Sequence, residues 1–233
     1  MNRVWESTNG TGTRERLWTR IVERTPTAVL AWTDLTLMNR ELPAARSPRP
    51  VGLEEYAEWS QAIQDVHDEL GRAIPKSRLQ ARLGHGMRFY VLRENGRAVC
   101  TAWLATGPER FIDEAAVGLT IPANGLWLRD IFVPPSERGR GRFQQLLDGA
   151  LAFHPDATTL WSDVHVSNVA SLRAHLRYGF RPVGAVRALH VGKRVLLRCA
   201  VDGAAPVRSI WAPGRWLMWT GDEFRNFVRE RLA

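Results

Sequence analysis

The sequence predicts a mixed α/β protein with helices packed on a sheet, and two observations support this prediction. From residue 88 onward, strand-like and helix-like segments follow one another in the order β-β-β-β-α-β-α-β-β, which is typical of such a sheet. Before that region, apolar residues recur every three or four positions over 52–70, as in an amphipathic helix. We therefore expect a largely helical N-terminal part followed by a sheet-containing part.

Apolar spacing and turn signals predict the individual segments. Strands at 88–93 and 97–105 form a hairpin, because the Asn95-Gly96 pair between them is a strong hairpin turn signal. The proline-rich stretch 43–50 is expected to be an extended linker. Further strands are predicted at 115–120, 126–133, 159–166, 182–190 and 194–201, and further helices at 17–29, 76–83, 142–153, 168–178 and 221–232.

The composition limits the class of protein. The chain has 233 residues and no run of 18 apolar ones, and its first residues lack the apolar core of a signal peptide. We therefore expect a cytoplasmic protein without a membrane partner. Cys100 and Cys199 lie in apolar, strand-like segments, which indicates buried, reduced thiols, and two cysteines exclude a cysteine-rich zinc site. We expect no bound metal.

The net charge of +8 has two interpretations. It reflects either an arginine-rich composition or attraction to an anionic ligand such as CoA phosphates, nucleic acid or an acidic sugar. Because the sequence holds no helix-turn-helix, zinc-finger or RNA-recognition motif, we do not expect a nucleic-acid partner.

A loop rich in glycine and arginine stands between a predicted strand and a predicted helix. The strand stops at Pro134-Pro135, and the helix starts near Arg142. A helix N-terminus presents free N–H groups and partial positive charge, and glycines let a ligand approach the backbone, so the loop suits a phosphate or pyrophosphate. Its glycine spacing matches neither dinucleotide-binding nor P-loop motifs. A basic surface loop that merely caps the helix is the alternative.

Two motifs in this half of the chain resemble those of the GNAT acetyltransferase family. The loop Val133–Phe143 is similar to the family's acyl-CoA pyrophosphate loop, Q/R-x-x-G-x-G/A, with Arg138, Gly141 and Phe143 at the marked positions. Phe143 departs from the family's Gly or Ala. The segment 168–180 resembles the later motif N-x-x-[AS]-x-x-x-Y-x-x-x-G-F and ends in Gly179-Phe180. The resemblance covers about residues 85–201.

The resemblance implies a GNAT-like fold, with a mostly antiparallel central sheet flanked by helices. It suggests a catalytic domain over 85–201, a largely helical N-terminal extension over 1–84 packed on it, and a Trp-rich C-terminal tail and helix over 202–233. It implies acetyl-CoA or another acyl-CoA as cosubstrate. The implied cofactor-binding residues are Ile131, Phe132, Val133, Arg138, Gly139, Arg140, Gly141, Arg142, Phe143, Asn168, Ser171 and His175.

The resemblance also implies acyl transfer by direct attack of an amine on the thioester. His175 stands where family enzymes often have a tyrosine that protonates the leaving thiolate, and Tyr178, one helical turn later, is the fallback acid. His175 either acts as this catalytic acid or only packs beside the cofactor. Candidate bases are Asp130, and Asp163, His165 or a water held by them, with Glu114 as a weaker option.

The sequence leaves the acceptor open. A small-molecule primary amine is the leading hypothesis. Acylation of a macromolecule, such as a protein or an aminoacyl-tRNA, is the alternative within enzymes. A non-catalytic acyl-CoA-binding or regulatory domain is the alternative outside them, because of Phe143 and the missing helix tyrosine. We also leave open whether the chain forms a homodimer.

Overall fold

The computed structural model describes residues 30–107, 109–112, 117–191, 194–202, 205–206 and 216–219. The predicted helices at 17–29 and 221–232 lie outside these residues. The strands are β1 (Leu30–Glu41), β2 (Leu53–Tyr56), β3 (Met87–Glu94), β4 (Arg97–Thr106), β5 (Glu109–Ile112), β6 (Val117–Thr120), β7 (Gly125–Phe132), β8 (Thr159–His165), β9 (Arg181–Val191), β10 (Arg194–Val201), β11 (Ala205–Pro206) and β12 (Trp216–Trp219). The helices are α1 (Gln61–Glu69), α2 (Lys76–Gly84), α3 (Arg142–Leu151) and α4 (Val169–Arg177).

One large sheet organises the described part of the chain. Its strand order is β12-β10-β9-β1-β8-β7-β4-β3-β2, and a small second sheet has the order β11-β6-β5. All neighbouring strands of the large sheet run antiparallel except β7 and β8, which run parallel. The mixed, mostly antiparallel sheet flanked by helices confirms the predicted fold class.

Most elements from residue 87 onward form close to their predicted positions. The hairpin β3–β4 turns at Asn95 and Gly96, both with positive φ (50° and 79°), which is the backbone that an Asn-Gly turn supports. Strand β5 was not predicted.

The predicted helix at 52–70 is wrong over 52–60, nearly half of its length. Residues Leu53–Tyr56 form a strand paired with β3, and the helix begins only after Ser60, whose side chain accepts a hydrogen bond from the Ala62 N–H. Pairing with β3, which is supported by a Glu55–Arg88 ion pair at 2.7 Å, outweighs the helical spacing of the apolar residues.

The N-terminal region contributes strands to the large sheet itself. Strand β1, which the sequence analysis did not predict, lies inside the sheet between β9 and β8. Strand β2 forms one edge of the sheet, next to β3. The alternation of buried Leu35 and Leu37 with half-buried Asp34 and Thr36 is the strand signal that was missed. Residues 30–56 therefore belong to the same sheet as strands of the region 85–201.

Apolar side chains cover both faces of the sheet. Alternation along β7 places Trp127 in one core cluster, and Leu126 and Leu128 in the other. Helix α3 packs on the second of these clusters, whereas α1 and α2 pack on the opposite face, against Phe89 and Trp103. Cys100 and Cys199 are buried free thiols, as predicted, and burial raises the pKa of each to about 12.

Candidate active site

The two parallel strands at the centre of the sheet separate partway along their length. Strands β7 and β8 pair only from Gly125 to Leu128 and from Thr159 to Ser162. Beyond these pairs, β7 continues along β4 to Phe132, and β8 continues along β1 to His165. We call the point of separation, at Leu128 and Ser162, the fork. An open space between parallel strands can accept an extended ligand.

The loop after β7 leads from the fork to the N-terminus of α3. Gly141 is the N-cap residue, with a positive φ of 74°, and it has no side chain with which to cap the first N–H groups. Gly139 also has a positive φ, and a Cβ added at either glycine would meet nothing within 4 Å. The loop therefore presents backbone amides at a helix N-terminus, with open space in front of its glycines.

The three arginines of this loop have different surroundings. Arg142 is held by ion pairs with Glu94 and Glu137, whereas Arg138 and Arg140 are exposed. Arg140 lies 3.5 Å from Glu137, and the Arg138 Nε donates to the Val133 carbonyl at 3.3 Å. Arg142 thus braces the loop, and the exposed pair adds positive charge to its surface.

Helix α4 begins at the predicted residue. The Asn168 side chain accepts a hydrogen bond from the Ser171 N–H at 3.1 Å and caps the helix. Two turns later, His175 is 1% exposed and points to the sheet beneath the helix. The helix therefore brings His175 against β8, at the fork.

Hydrogen bonds fix the tautomer of His175. Its Nδ1 lies 2.8 Å from the Ser171 carbonyl oxygen, which can only accept, so Nδ1 carries the proton. Its Nε2 then accepts from the Ser162 hydroxyl at 3.0 Å. Burial lowers the pKa of His175, which favours the neutral ring.

The side chains around His175 are aromatic. The Phe143 ring packs edge-on against His175, with a centroid distance of 5.1 Å, so this residue turns inward and not into the loop. The Tyr178 hydroxyl donates to Asp148 at 2.6 Å, and burial, with this hydrogen bond, raises the pKa of Tyr178. The Tyr178 proton is therefore held strongly by the protein.

Asp130 occupies a bulge in β7 just beyond the fork. Its φ of 56° is left-handed, which aspartate tolerates better than most residues. Each carboxylate oxygen accepts from a different arginine, Arg72 at 2.6 Å and Arg82 at 2.7 Å. Burial alone would raise the pKa of Asp130, but the two guanidinium groups hold it below its ordinary value. Asp130 is therefore an ionised anchor for both arginines.

A cavity of about 360 Å³ opens at the fork, on the side of α1 and α2. We call it the arginine cavity. Both predicted carboxylates, Asp130 and Asp163, line it, and the Asp163 Oδ1 also accepts from the Trp127 indole N–H at 2.8 Å. The lining residues are Arg72, Ile74, Arg78, Arg82, Leu128, Arg129, Asp130 and Asp163.

The remaining candidates lie apart from this group. His165 is exposed at the end of β8, with its Nδ1 2.7 Å from the Ser167 hydroxyl. Glu114 lies outside the described residues. Within the described residues, no group of three or more potential metal ligands occurs.

Sequence reasoning missed Ser162 and the arginines of the cavity. Ser162 gives no motif signal, and it matters only because it pairs with Leu128 at the fork and bonds His175. Arg72 and Arg82 lie 58 and 48 residues from Asp130 along the chain. Only the packing of α1 and α2 on the sheet brings them together.

The family of the chain follows from comparison with known proteins. The model of the acetyltransferase (GNAT) family matches residues 52–180, which is more than half of the chain. The chain therefore belongs to this family, and it is an acyl-CoA-dependent N-acyltransferase. No curated protein matches it.

Several solved structures are similar to this chain at low sequence identity. A GNAT-family acetyltransferase from Novosphingobium aromaticivorans is 18% identical, with 71% of this chain and 68% of that chain covered and a TM-score of 0.48. An aminoglycoside N-acetyltransferase in complex with CoA is 18% identical, with 55% and 90% covered and a TM-score of 0.40. A GCN5-related N-acetyltransferase from Sphaerobacter thermophilus is 18% identical, with 89% and 59% covered and a TM-score of 0.43.

The described helices were also compared with the length and hydropathy that a membrane-spanning helix needs. None of them is both long enough and apolar enough to cross a membrane.

Proposed function

We propose that the protein transfers an acyl group from acyl-CoA to the primary amine of a small molecule, by direct attack at the fork. The observation that carries this proposal is the order of features along one stretch of chain: β7 parts from β8 at Leu128, beside the arginine cavity, and leads on to the glycine loop at the N-terminus of α3. The CoA diphosphate would lie over the amides of residues 138–143, where the helix dipole favours negative charge.

The pantetheine arm would follow Ile131–Val133 as an added strand follows a sheet edge. From Val133 back to Leu128 the strand spans about 16 Å at its usual rise per residue, so the thioester would reach the fork. There it would meet the arginine cavity, which provides the acceptor with its own entrance. A cavity of about 360 Å³ suits a small acceptor.

The amine must be neutral when it attacks the thioester carbon, so a group near the fork has to accept its proton. We assign this role to Asp163, directly or through a water molecule, because its carboxylate lines the cavity. Asp130 is a poor base, since two arginines keep it ionised and lower its pKa. Its proposed role is to hold Arg72 and Arg82.

The departing thiolate needs a hydrogen-bond or proton donor. We assign this task to the Ser162 hydroxyl, which lies 3.4 Å from the Leu128 carbonyl at the fork and would turn its hydrogen from the His175 Nε2 to the thiolate. The thiolate would leave as an anion stabilised by this hydrogen bond and take a proton from water after its release. The buried, neutral His175 carries no proton on Nε2, so its proposed role is to position Ser162. The pair would take the place of the family's tyrosine. Asn168 and Ser171 keep their predicted role beside the pantetheine, in addition to capping the helix and bonding His175. Tyr178 remains the fallback.

Release of free thiol from acetyl-CoA tests this function. We expect release to depend on an added primary amine and to yield an N-acetylated product of matching mass. Amine-independent CoA binding without turnover on any small amine would favour a binding domain. Turnover only on a protein or aminoacyl-tRNA would favour the macromolecular acceptor. We further propose that the protein acts in the cytoplasm, as a monomer or a homodimer.

A further inference from the structure

We propose that the arginine cavity selects acceptors that carry an anionic group, a carboxylate or a phosphate, on the same small molecule as the amine. This inference rests on the proposed function and adds the substrate class. Its first support is charge. Among the described lining residues, four arginines face two aspartates, so positive charge exceeds negative by two.

The second support is the arrangement of the arginines. Arg72 and Arg82 share Asp130, so one carboxylate is divided between two guanidinium groups. Arg72 also stacks on Phe132 at 4.8 Å, and Arg82 on Trp103 at 5.2 Å, which fixes both groups before a ligand arrives. Held in this way, the arginines provide positive charge without the entropic cost of ordering long side chains.

The third support is a polar atom without a partner. The Arg72 Nη1 is buried and makes no hydrogen bond within the described structure, although its Nη2 bonds Asp130. A buried guanidinium nitrogen without an acceptor costs free energy, because it has lost water and gained nothing in return. An anion bound in the cavity beside Arg72 would offset part of this cost through its charge, without contacting the buried Nη1 itself.

The fourth support is the chemistry of the amine. A positively charged cavity disfavours the ammonium form of an acceptor, because like charges lower the pKa of a bound amine. The neutral amine is the form that attacks. An ordinary cationic amine would be repelled, however, unless another group of the molecule were attracted. An anionic group on the acceptor supplies this attraction, so the cavity both recruits the molecule and helps to deprotonate it.

Matched pairs of acceptors test the proposal with acetyl-CoA as donor and thiol release as the signal. Most pairs consist of an amino acid and its amide, which differ in the carboxylate. One further pair, O-phosphoethanolamine and ethanolamine, differs in the phosphate and so distinguishes a preference for phosphate from one for carboxylate. The amide has the less basic amine and so more of the reactive neutral form, which means that chemistry alone favours the amide. We expect the anionic member of at least one pair to have a kcat/KM higher by about tenfold or more.

A variant links the preference to the cavity. Arg78 is exposed on α2 and lines the cavity, so Arg78→Gln should leave the fold intact. We expect it to lower kcat/KM for the anionic acceptor by roughly 10- to 100-fold, mainly through KM, and to have a clearly smaller effect on the partner that lacks the anionic group. Lys76→Gln is the matched control, because it removes the same charge from the same helix outside the cavity lining.

The outcomes separate the two proposals. Equal or faster turnover of the members that lack an anionic group overturns the anionic-acceptor inference and leaves the proposed function standing. An equal effect of Arg78→Gln on both members of a pair also overturns the inference. Turnover of no amine in the whole panel overturns the proposed function and, with it, this inference.

Discussion

The CoA side and the acceptor side of the fork are built in different ways. The CoA side consists of one continuous piece of chain, from β7 through the glycine loop into α3, and offers mainly backbone groups. The acceptor side is assembled from side chains of the loop between α1 and α2, of α2, and of β7 and β8, and its ion pairs join residues 48 and 58 positions apart. The CoA side should therefore depend on backbone conformation, and the acceptor side on individual side chains.

The largest effect is expected where the two sides meet, at His175. We expect His175→Phe, which keeps a ring between Phe143 and Phe180, to lower kcat by roughly 10²–10⁴-fold and to leave acetyl-CoA affinity nearly unchanged. Steady-state kinetics and calorimetry measure the two quantities. His175→Tyr should recover part of the rate by restoring the family's usual group.

A double-mutant cycle shows whether His175 acts through Ser162. If it does, Ser162→Ala lowers kcat by a similar factor, and the double variant is little slower than either single one. A near-normal kcat for His175→Phe, with only a lower unfolding temperature, would make the residue structural.

The next effect concerns the acceptor side alone. Asp130→Asn keeps a residue that tolerates positive φ but removes the charge shared by Arg72 and Arg82. The Asp130 side chain is only 21% exposed. We therefore expect the free energy of unfolding to fall by about 3 kcal/mol, which is the low end of the range for breaking a buried ion pair. CoA affinity should not change.

Chemical denaturation of Asp130→Asn, with exposed Asp65→Asn on α1 as control, measures this effect. The control should cost less than about 0.5 kcal/mol. If CoA affinity fell together with stability, the two sides of the fork would not be independent.

The smallest expected effect is a pH dependence of the free energy of unfolding, caused by His67 near the arginine cavity. His67 is fully buried between Phe89 and Trp103, and neither ring nitrogen has a hydrogen-bond partner within the described structure. Burial, aided by Arg72, lowers the pKa of His67 to about 4. Between that value and the ordinary pKa of about 6.5, the unfolded chain binds a proton that the folded protein does not, so stability falls as the pH falls through this window.

His67→Phe removes this proton. We expect the wild-type protein to lose about 2 kcal/mol more stability than the variant between about pH 7 and pH 5. The half-buried His154, with a pKa also near 4, contributes a similar slope to both proteins and so cancels. Parallel pH profiles for the two proteins would show that His67 does not titrate in this way.

The sequence was sufficient to predict those features that are determined within a short stretch of chain. The strand 126–133, the glycine loop and the Asn168 cap lie within short segments, so spacing and motifs were sufficient to find them. Strand β2 was predicted as helix because Leu53 and Tyr56 are three residues apart, as on one face of a helix, and only the pairing with β3 makes the segment a strand. Arg72, Arg82 and Ser162 could not be predicted as site residues, since their roles depend on contacts between distant elements.

The central claim is that acyl-CoA binds through the backbone at the glycine loop, and calorimetric titration of CoA into Gly141→Val tests it most directly. Gly86→Val is the matched control, because both glycines have a φ of 74° and an added Cβ at either meets nothing within 4 Å. Both variants therefore carry similar backbone strain. The account predicts that Gly141→Val raises the Kd for CoA by roughly 10- to 100-fold, through lost contacts to the diphosphate, while Gly86→Val leaves it unchanged. An unchanged Kd in Gly141→Val, or an equal rise in both variants, would contradict it.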